Sequence, residues 1–587
     1  MWAKTNWTVL SILILPLVLS FALVPAETSN FEAIFPCESA NSKVANSKVT
    51  DLGSYDVVIY GGTPSGAAAA KSAAELGKSV LLLSESSTFG GSISNGLSAT
   101  DLGSLDANVG LSRDYLDEIS RYYQLGDHRA EPKVAECIFR NWLKSERIHL
   151  ATNVKLQKAT LVKKKIHSIS FEAAQSPNDI TVIGKSFIDA SYAGDLMYAS
   201  GTKTQLGMSD FYDYGENITK FRKFTPQFRV FSSEEILKTT KAFAYLPHVR
   251  VIANKDTPEK EIAQGMPSFT YRLCITKDKS NQIPITKDEK YDDYAPAWRI
   301  FMNNYFGYQY QDEPVLMYNG TILTQLWRIA LIPNNKADLN SYFSSFTNFT
   351  MPREYFEDLS SRPKILSQFS GYMKSFLWFV QNDPSVPAFE RAALKDYGLC
   401  ADEFVTNEGW PEQPYLREGR RLVGQTVLTS NDIIFSRLKP DAVAVGSYAM
   451  DSKSTSFTLT NGVFSRDKSQ LFKVPMYEIP MSTMIPKSGP ENLIVSVGIS
   501  ASPSAYASVR MEPQFIQLGQ AAGLAAAIAS SGSGSISLDL LGEVRSELAK
   551  ANGFTGVVNI CQSMSHSTDL FWEFCVGQFV SKSLRQN

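Results

Sequence analysis

Gly61-Gly62-Thr63-Pro64-Ser65-Gly66 lies between an apolar run, YDVVIY from Tyr55, and an alanine-rich stretch, AAAAKSAAELG. A second apolar run, SVLLLSE, then ends at Ser84-Glu85. This order predicts strand, tight turn, helix and strand, a unit that binds dinucleotides. Gly61 permits the turn, and Gly66 lets helix and strand pack closely. The free N–H groups and positive dipole end of the helix suit a pyrophosphate. Thr63 replaces the middle glycine of G-x-G-x-x-G, so Gly62 beside it supplies the backbone room. Glu85, at the end of the second strand, has the spacing of an acid that accepts from a ribose hydroxyl.

Two further features favour a flavin over a nicotinamide. Gly90-Gly91 follows the second strand at once and lets backbone approach a flat, bulky group just past the ribose. Pro513 opens a helix of small residues, expected over Pro513–Ala529, whose positive end suits charge on a reduced flavin.

Arg417-Glu418-Gly419-Arg420-Arg421 is the best candidate for a substrate wall. Read as a helix, it places Arg417 and Arg421 on one face with Arg420 beside them. Arginine forks suit a hydroxyl-rich or anionic substrate; an ordinary salt-bridged helix is the alternative. Arg272, in the expected strand FTYRLCIT, has the same standing. The candidates touching substrate are therefore Arg420, Arg417 and Arg272. Asp195, in a Gly-Asp turn, reads as a structural partner rather than an acid. The five histidines, at 128, 149, 167, 248 and 566, are scattered, and no metal site is expected. His566 is a weak catalytic candidate. No second glycine fingerprint and no C-x-x-C occur, so oxygen or a diffusible acceptor is the expected electron sink.

These residues need elements to position them. The chain has 587 residues, 44% hydrophobic and 20% charged, with a formal charge of −2. A near-neutral balance leaves no cationic excess for nucleic acid. Val9 to Val24 is an uncharged apolar run behind Lys4, too short and too interrupted by Pro16 to span a membrane. It reads as an export signal. Sequons at Asn217, Asn319 and Asn348 and six cysteines agree with a secretory route. Of the possible pairings, Cys561–Cys575 is favoured as a local staple of the C-terminus.

Residues 113–147 read as helical. Short strands are expected around Ile148–Leu150, Thr160–Lys163, Ile166–Phe171 and Phe187–Asp189, and later at Asn492–Val497. Residues 196–480 look irregular and aromatic. SSGSGS at Ser530–Ser535 precedes a last helix near Leu538–Ala551. A nucleotide domain built from both ends of the chain, with a long insertion between, accounts for this order.

The blocks VVIYGGTPSGAAAA, FGGSISNGLSATD, FIDASYAGDLMYASG, FTYRLCIT, YLREGRRLVG and VGISASPSAYASVRMEPQFIQLGQAAGLAAA spread over most of the chain. Together they resemble the FAD-dependent oxidoreductases of the glutathione-reductase-like superfamily, in the branch labelled xanthan-lyase-like. The resemblance implies non-covalent FAD held by three segments. The first is the N-terminal unit (Gly61, Gly62, Thr63, Pro64, Ser65, Gly66, Ser84, Glu85, Gly90 and Gly91). The second is a strand-turn containing Asp189 and Ala190, and the third is a late segment containing Gly498, Pro513 and Gln514. It also implies that Val154 presents backbone to the adenine. The chain departs from the family at GSYAMDSKS, where relatives commonly carry GSYPID and a following histidine.

The expected fold is α/β: an FAD-binding Rossmann-like (glutathione-reductase-like) domain with a large inserted α+β substrate domain. Its expected parts are a signal peptide (1–26), a linker (27–53), the two parts of the FAD domain (54–215 and 481–535), the insertion (216–480) and a C-terminal helix and tail (536–587). The expected activity is hydride removal from a small organic substrate, for which the family label suggests a carbohydrate. A nicotinamide-dependent reductase and a secreted flavin-binding protein without catalysis are the alternatives. No nucleic acid and no membrane beyond the signal are expected as partners, and the oligomeric state is left open.

Overall fold

The computed structural model describes residues 51–563 and Cys575, apart from 125, 127, 174–178, 208–213, 217–223, 230–250, 253–267, 306–314, 318–319, 325, 342–348, 453–456, 461–462 and 468–469. The expected export signal, the asparagines of all three sequons and His566 lie outside the described residues.

The first apolar run forms β1 (Asp51–Tyr60), followed by α1 (Pro64–Glu75) and β2 (Val80–Leu83). The strand starts four residues before the expected Tyr55, so the last residues assigned to the linker already pair with a neighbour. Val57 to Tyr60 are wholly buried, as a parallel strand covered on both faces requires. Next come β3 (Ile148–Ala151), β4 (Val154–Val162), β5 (Lys165–Ala173) and β6 (Ile180–Asp189). The sheet order is β3-β2-β1-β6-β5-β4. Contacts from β3 through β6 are parallel, and β6-β5-β4 is an antiparallel meander. Residues 113–147, expected to be helical, hold two helices, Leu111–Tyr123 and Pro132–Trp142.

The described residues of 196–480 include regular structure that the sequence reading missed. A seven-stranded antiparallel sheet runs in the order 282–283, 398–400, 273–276, 336–341, 327–332, 321–323 and 315–317. Against it packs α2 (Arg362–Asn382), whose Tyr372, Phe376 and Phe379 surround Trp298 in one core. Each such ring contributes roughly 1.5–3 kcal/mol by burial. Cys274–Cys400 bridges two strands of this sheet. The stretches Ala442–Gly446 and Tyr477–Pro480 pair with each other, yet they pack into the core of the nucleotide half. The two halves therefore interleave more finely than a break at residue 480 suggests.

The chain then returns to the first sheet. The strand β7 (Leu493–Val495) lies parallel to β6, with Val495 opposite Asp189. A short helix, Pro503–Val509, leads into the helix α3 (Glu512–Ser530), whose alanines and glycines are buried. Gly519 and Gly523 allow α3 to lie on α1: a Cβ on them would fall 2.1 Å from Ser65 O and 2.3 Å from Ala69 O. The final expected helix is a short 3-10 turn, Leu538–Leu540, leading into an α-helix, Leu541–Lys550. Cys561–Cys575 is bonded as expected. Among the described residues no helix is long and apolar enough to cross a membrane.

Candidate functional site

Register fixes where the motif residues meet. Tyr60 pairs with Leu83 on one side and with Asp189 on the other, and Asp189 pairs with Val495. Each strand therefore ends at the same edge, and Gly61, Ser84, Ala190 and Ser496 follow side by side. The carboxyl edge of a parallel sheet is where ligands of open α/β folds bind.

The glycine turn is tight because three loops crowd it. A Cβ on Gly61, whose φ is +124°, would lie 2.4 Å from the Ala190 carbonyl carbon, and one on Gly66 only 1.9 Å from Gly61 O. Thr63, the departure from the simple motif, does two jobs. Its hydroxyl accepts from Gly66 N at 3.1 Å, capping α1, and donates to Ala190 O at 2.8 Å, tying the β1 turn to the β6 turn. Ser84 and Gly62 are packed together, a Gly62 Cβ falling 2.3 Å from Ser84 Oγ.

Gly90 and Gly91 fold back so that both amides donate to Gly62 O, at 2.8 and 3.2 Å. A Cβ on Gly90 would meet Phe139 and Ser94, and one on Gly91 would meet Tyr192. Gly498 likewise faces the Arg420 carbonyl, 2.3 Å from its would-be Cβ.

At one end of this edge lies a cleft of about 390 Å³ lined by Glu85, Val154, Lys155, Tyr355, Arg362 and Leu366 among others. Val154 N donates to Ser84 O at 3.0 Å. The Glu85 carboxylate receives Arg362 Nη1 at 2.8 Å. Burial raises the Glu85 pKa, with Arg362 opposing and Asp195 reinforcing the rise. Asp189 is likewise raised, to about 6, by burial. Its oxygens cap the following turn, accepting from Ser191 N and Oγ and from Met197 N. Asp195 is structural, as expected: it receives both Arg362 Nη atoms, at 2.7 and 2.8 Å.

At the other end stands the first turn of α3, with Pro513 near its start. Gln514 is wholly buried, and neither its amide oxygen nor its nitrogen has a partner among the described residues. The buried hydroxyls of Ser94 and Ser500 also lack partners among the described residues. Buried polar groups normally find partners, so these mark a place built for a polar ligand. A dinucleotide with a hydrogen-bonding ring system suits them. Beside them Tyr192 donates to Glu512 Oε1 at 2.8 Å and accepts from Ser92 N at 2.9 Å. Burial pushes Glu512 up to about 8, against the Tyr192 hydrogen bond.

The candidate arginines separate into two groups. The REGRR segment is not helical. Arg420–Leu422 is a strand paired with Thr204–Leu206, so neighbouring side chains point to opposite sides. Arg420 Nη1 donates to Ala193 O at 3.1 Å and Nη2 to Phe356 O, its guanidinium over the Tyr198 ring at 4.0 Å. Arg421 donates to Ala501 O and Gly207 O, both at 2.6 Å. Both brace backbone. Arg417 lies over Tyr415 at 4.9 Å; burial lowers its pKa to about 10, and Arg510 and Arg272 push the same way. Arg272 is held by both oxygens of Asp338. Arg510 donates to Tyr415 Oη at 2.8 Å and to Asp451. Arg417, Arg272 and Arg510 thus form one buried cationic group, and Arg420 belongs elsewhere.

Sequence reasoning missed Arg362, Arg510, Tyr192 and Glu512. The last three stand inside motif blocks whose glycines drew the attention. Arg362 has no local signal, since Asp195 and Glu85 are 167 and 277 positions away. Three carboxylates, Glu131, Asp402 and Glu403, also converge. Lys336 Nζ stands 2.5 to 2.7 Å from all three and supplies the cation itself.

The model of the family of FAD dependent oxidoreductases matches residues 56–548. No curated protein matches the chain. Among solved structures, it is similar to the flavin-dependent brominase Bmp2 at 9% identity, covering 85% of this chain and 84% of that one with a TM-score of 0.34. A geranylgeranyl bacteriochlorophyll reductase-like protein from Thermoplasma acidophilum matches at 9% identity over 85% and 84%, with a TM-score of 0.29. L-proline dehydrogenase from P. horikoshii matches at 15% identity and a TM-score of 0.18, over 28% of this chain and only 26% of that one. At these scores the three similarities carry no argument about activity.

Proposed function

The chain belongs to the family of FAD dependent oxidoreductases, and from that premise we propose that it removes a hydride from a small organic substrate and passes the electrons to oxygen or a diffusible acceptor. FAD is the cofactor, and when bound it supplies the hydride acceptor. The residues present suit it. The turn Gly61–Gly66 and the first amides of α1 receive the pyrophosphate, Glu85 accepts from the ribose, and Val154 borders the adenine in the same cleft. The Gln514 amide faces the flavin end, where its oxygen and nitrogen gain the partners they lack in the protein.

The observation that carries this reading is the alignment of Gly61, Ser84, Ala190 and Ser496 along one sheet edge. In the inserted region Arg417, buried beside Arg272 and Arg510, is the candidate for orienting an anionic or hydroxyl-rich substrate, a carbohydrate acid fitting both descriptions. Arg272 is held by Asp338 and Arg510 by Asp451. The likeness to the xanthan-lyase-like branch and the secretory route of a glycosylated protein are parts of the same proposal.

Anaerobic mixing of the purified protein with panels of sugars, sugar acids and hydroxy acids tests it. Bleaching of flavin absorbance by one of them, reversed by air, is the expected result. No reduction by any reductant other than dithionite would favour a flavin-binding protein without catalysis.

A further inference from the structure

Arg362 is the first residue of α2, a 21-residue helix with no acid in its first turn. A cation there opposes the helix dipole, and its side chain is only 8% exposed. The position is unfavourable unless its partners compensate. Two are distant in sequence and one is near: Nη1 and Nη2 both reach Asp195, Nη1 also reaches Glu85 at 2.8 Å, Nε donates to Tyr355 O at 2.8 Å, and the guanidinium stacks on the Tyr355 ring at 4.6 Å. The same residue walls the cleft that holds Glu85 and Val154.

We propose that Arg362 is a positioning residue for the ribose end of the cofactor: it holds the Glu85 carboxylate in place, so that cofactor retention depends on a residue from the inserted region. This rests on the assignment of Glu85 to the ribose. Glu85 has Asp195 and Asp189 as anionic neighbours, and the hydroxyls of Tyr60 and Tyr355 stand near it. Lys155 and Glu412 complete the charged lining of the cleft. The other nearby guanidinium, Arg420, is turned to Asp195 at 3.5 Å. Removal of Arg362 leaves three carboxylates grouped together, and Glu85 takes up a proton. A neutral carboxyl is a poorer acceptor for ribose hydroxyls.

Titration of apoprotein with FAD, followed by quenching of flavin fluorescence from about pH 5.5 to about pH 9, tests this. Arg362→Met is expected to weaken binding at neutral pH by at least roughly tenfold and to move the pH midpoint of binding upward by about 1 to 3 pH units. Arg362→Lys, which keeps the charge, is expected to keep the parent midpoint. An unchanged affinity, a loss uniform across pH, or equal midpoint displacement in both variants would overturn the proposal. Glu85→Gln separates the two layers. Parent affinity in that variant would sink the ribose assignment itself, whereas weakened binding with a pH-independent Arg362→Met would remove only the role of Arg362.

Discussion

Gly66 has no room for a side chain, because a Cβ would stand 1.9 Å from its own turn's carbonyl at Gly61. Gly66→Val is therefore expected to push α1 off the sheet edge and abolish FAD binding, seen as colourless but soluble protein. A folded variant as yellow as the parent would show the turn to be misread. Arg420 makes the opposite prediction from the one its sequence setting suggests. Its bonds run to the backbone at Ala193 and Phe356, so Arg420→Ala should cost roughly 3–5 kcal/mol in denaturant melts. Flavin reduction by substrate should be unchanged; slowed reduction at parent stability would restore it to the substrate wall. Glu512 carries a pH dependence. Its native pKa, raised by burial to about 8, lies above the unfolded value of about 4.3. The native state then holds a proton that the unfolded chain has lost, so this contribution is full below about pH 4.3 and declines as pH rises to about 8. Apoprotein carrying Glu512→Gln should show a flatter fall in unfolding free energy across that window, by on the order of a few kcal/mol, in denaturant melts; an identical slope would mean Glu512 is ionised throughout.

At the scale of elements, what was legible followed from local pattern. The run YDVVIY, the glycine turn and AAAAKSAAELG define strand, turn and helix without help from elsewhere, and β1, α1 and β2 form there. The small residues of α3 were legible as a helix because a proline opens a long run of alanines and glycines, helix-compatible residues with no turn signal among them. Arg420–Leu422 was misread because three arginines in five positions resemble a helix face, whereas pairing with Thr204–Leu206 decides the backbone. The antiparallel sheet between 273 and 400 was missed for the same reason. Its strands are short, and their partners are distant in sequence. The close approach of α3 to α1 supplies an element-scale prediction. Gly519→Ala, with its Cβ 2.1 Å from Ser65 O, should separate the helices at a cost of about 1–3 kcal/mol and loosen FAD, measured as a faster release rate. Unchanged melting and release would show that the two helices tolerate more distance than their packing implies.

The whole molecule joins sequence-distant parts at the cofactor. The sheet edge takes strands from both ends of the chain, and Arg362 brings the inserted region to the cleft. Residues with long-range partners, Arg362 above all, were invisible in sequence for that reason, whereas the glycine motif could be read alone. Cys274–Cys400 closes a loop of 126 residues and is expected to contribute about 5 kcal/mol at most. Cys274→Ser with Cys400→Ser should lower stability by that order while the first sheet retains FAD. The most direct measurement of the central claim is the visible spectrum of the purified protein, with chromatographic identification of what heat releases from it. A flavin spectrum and stoichiometric release of FAD are expected. A colourless protein that binds a nicotinamide dinucleotide at the same glycine turn would contradict the account.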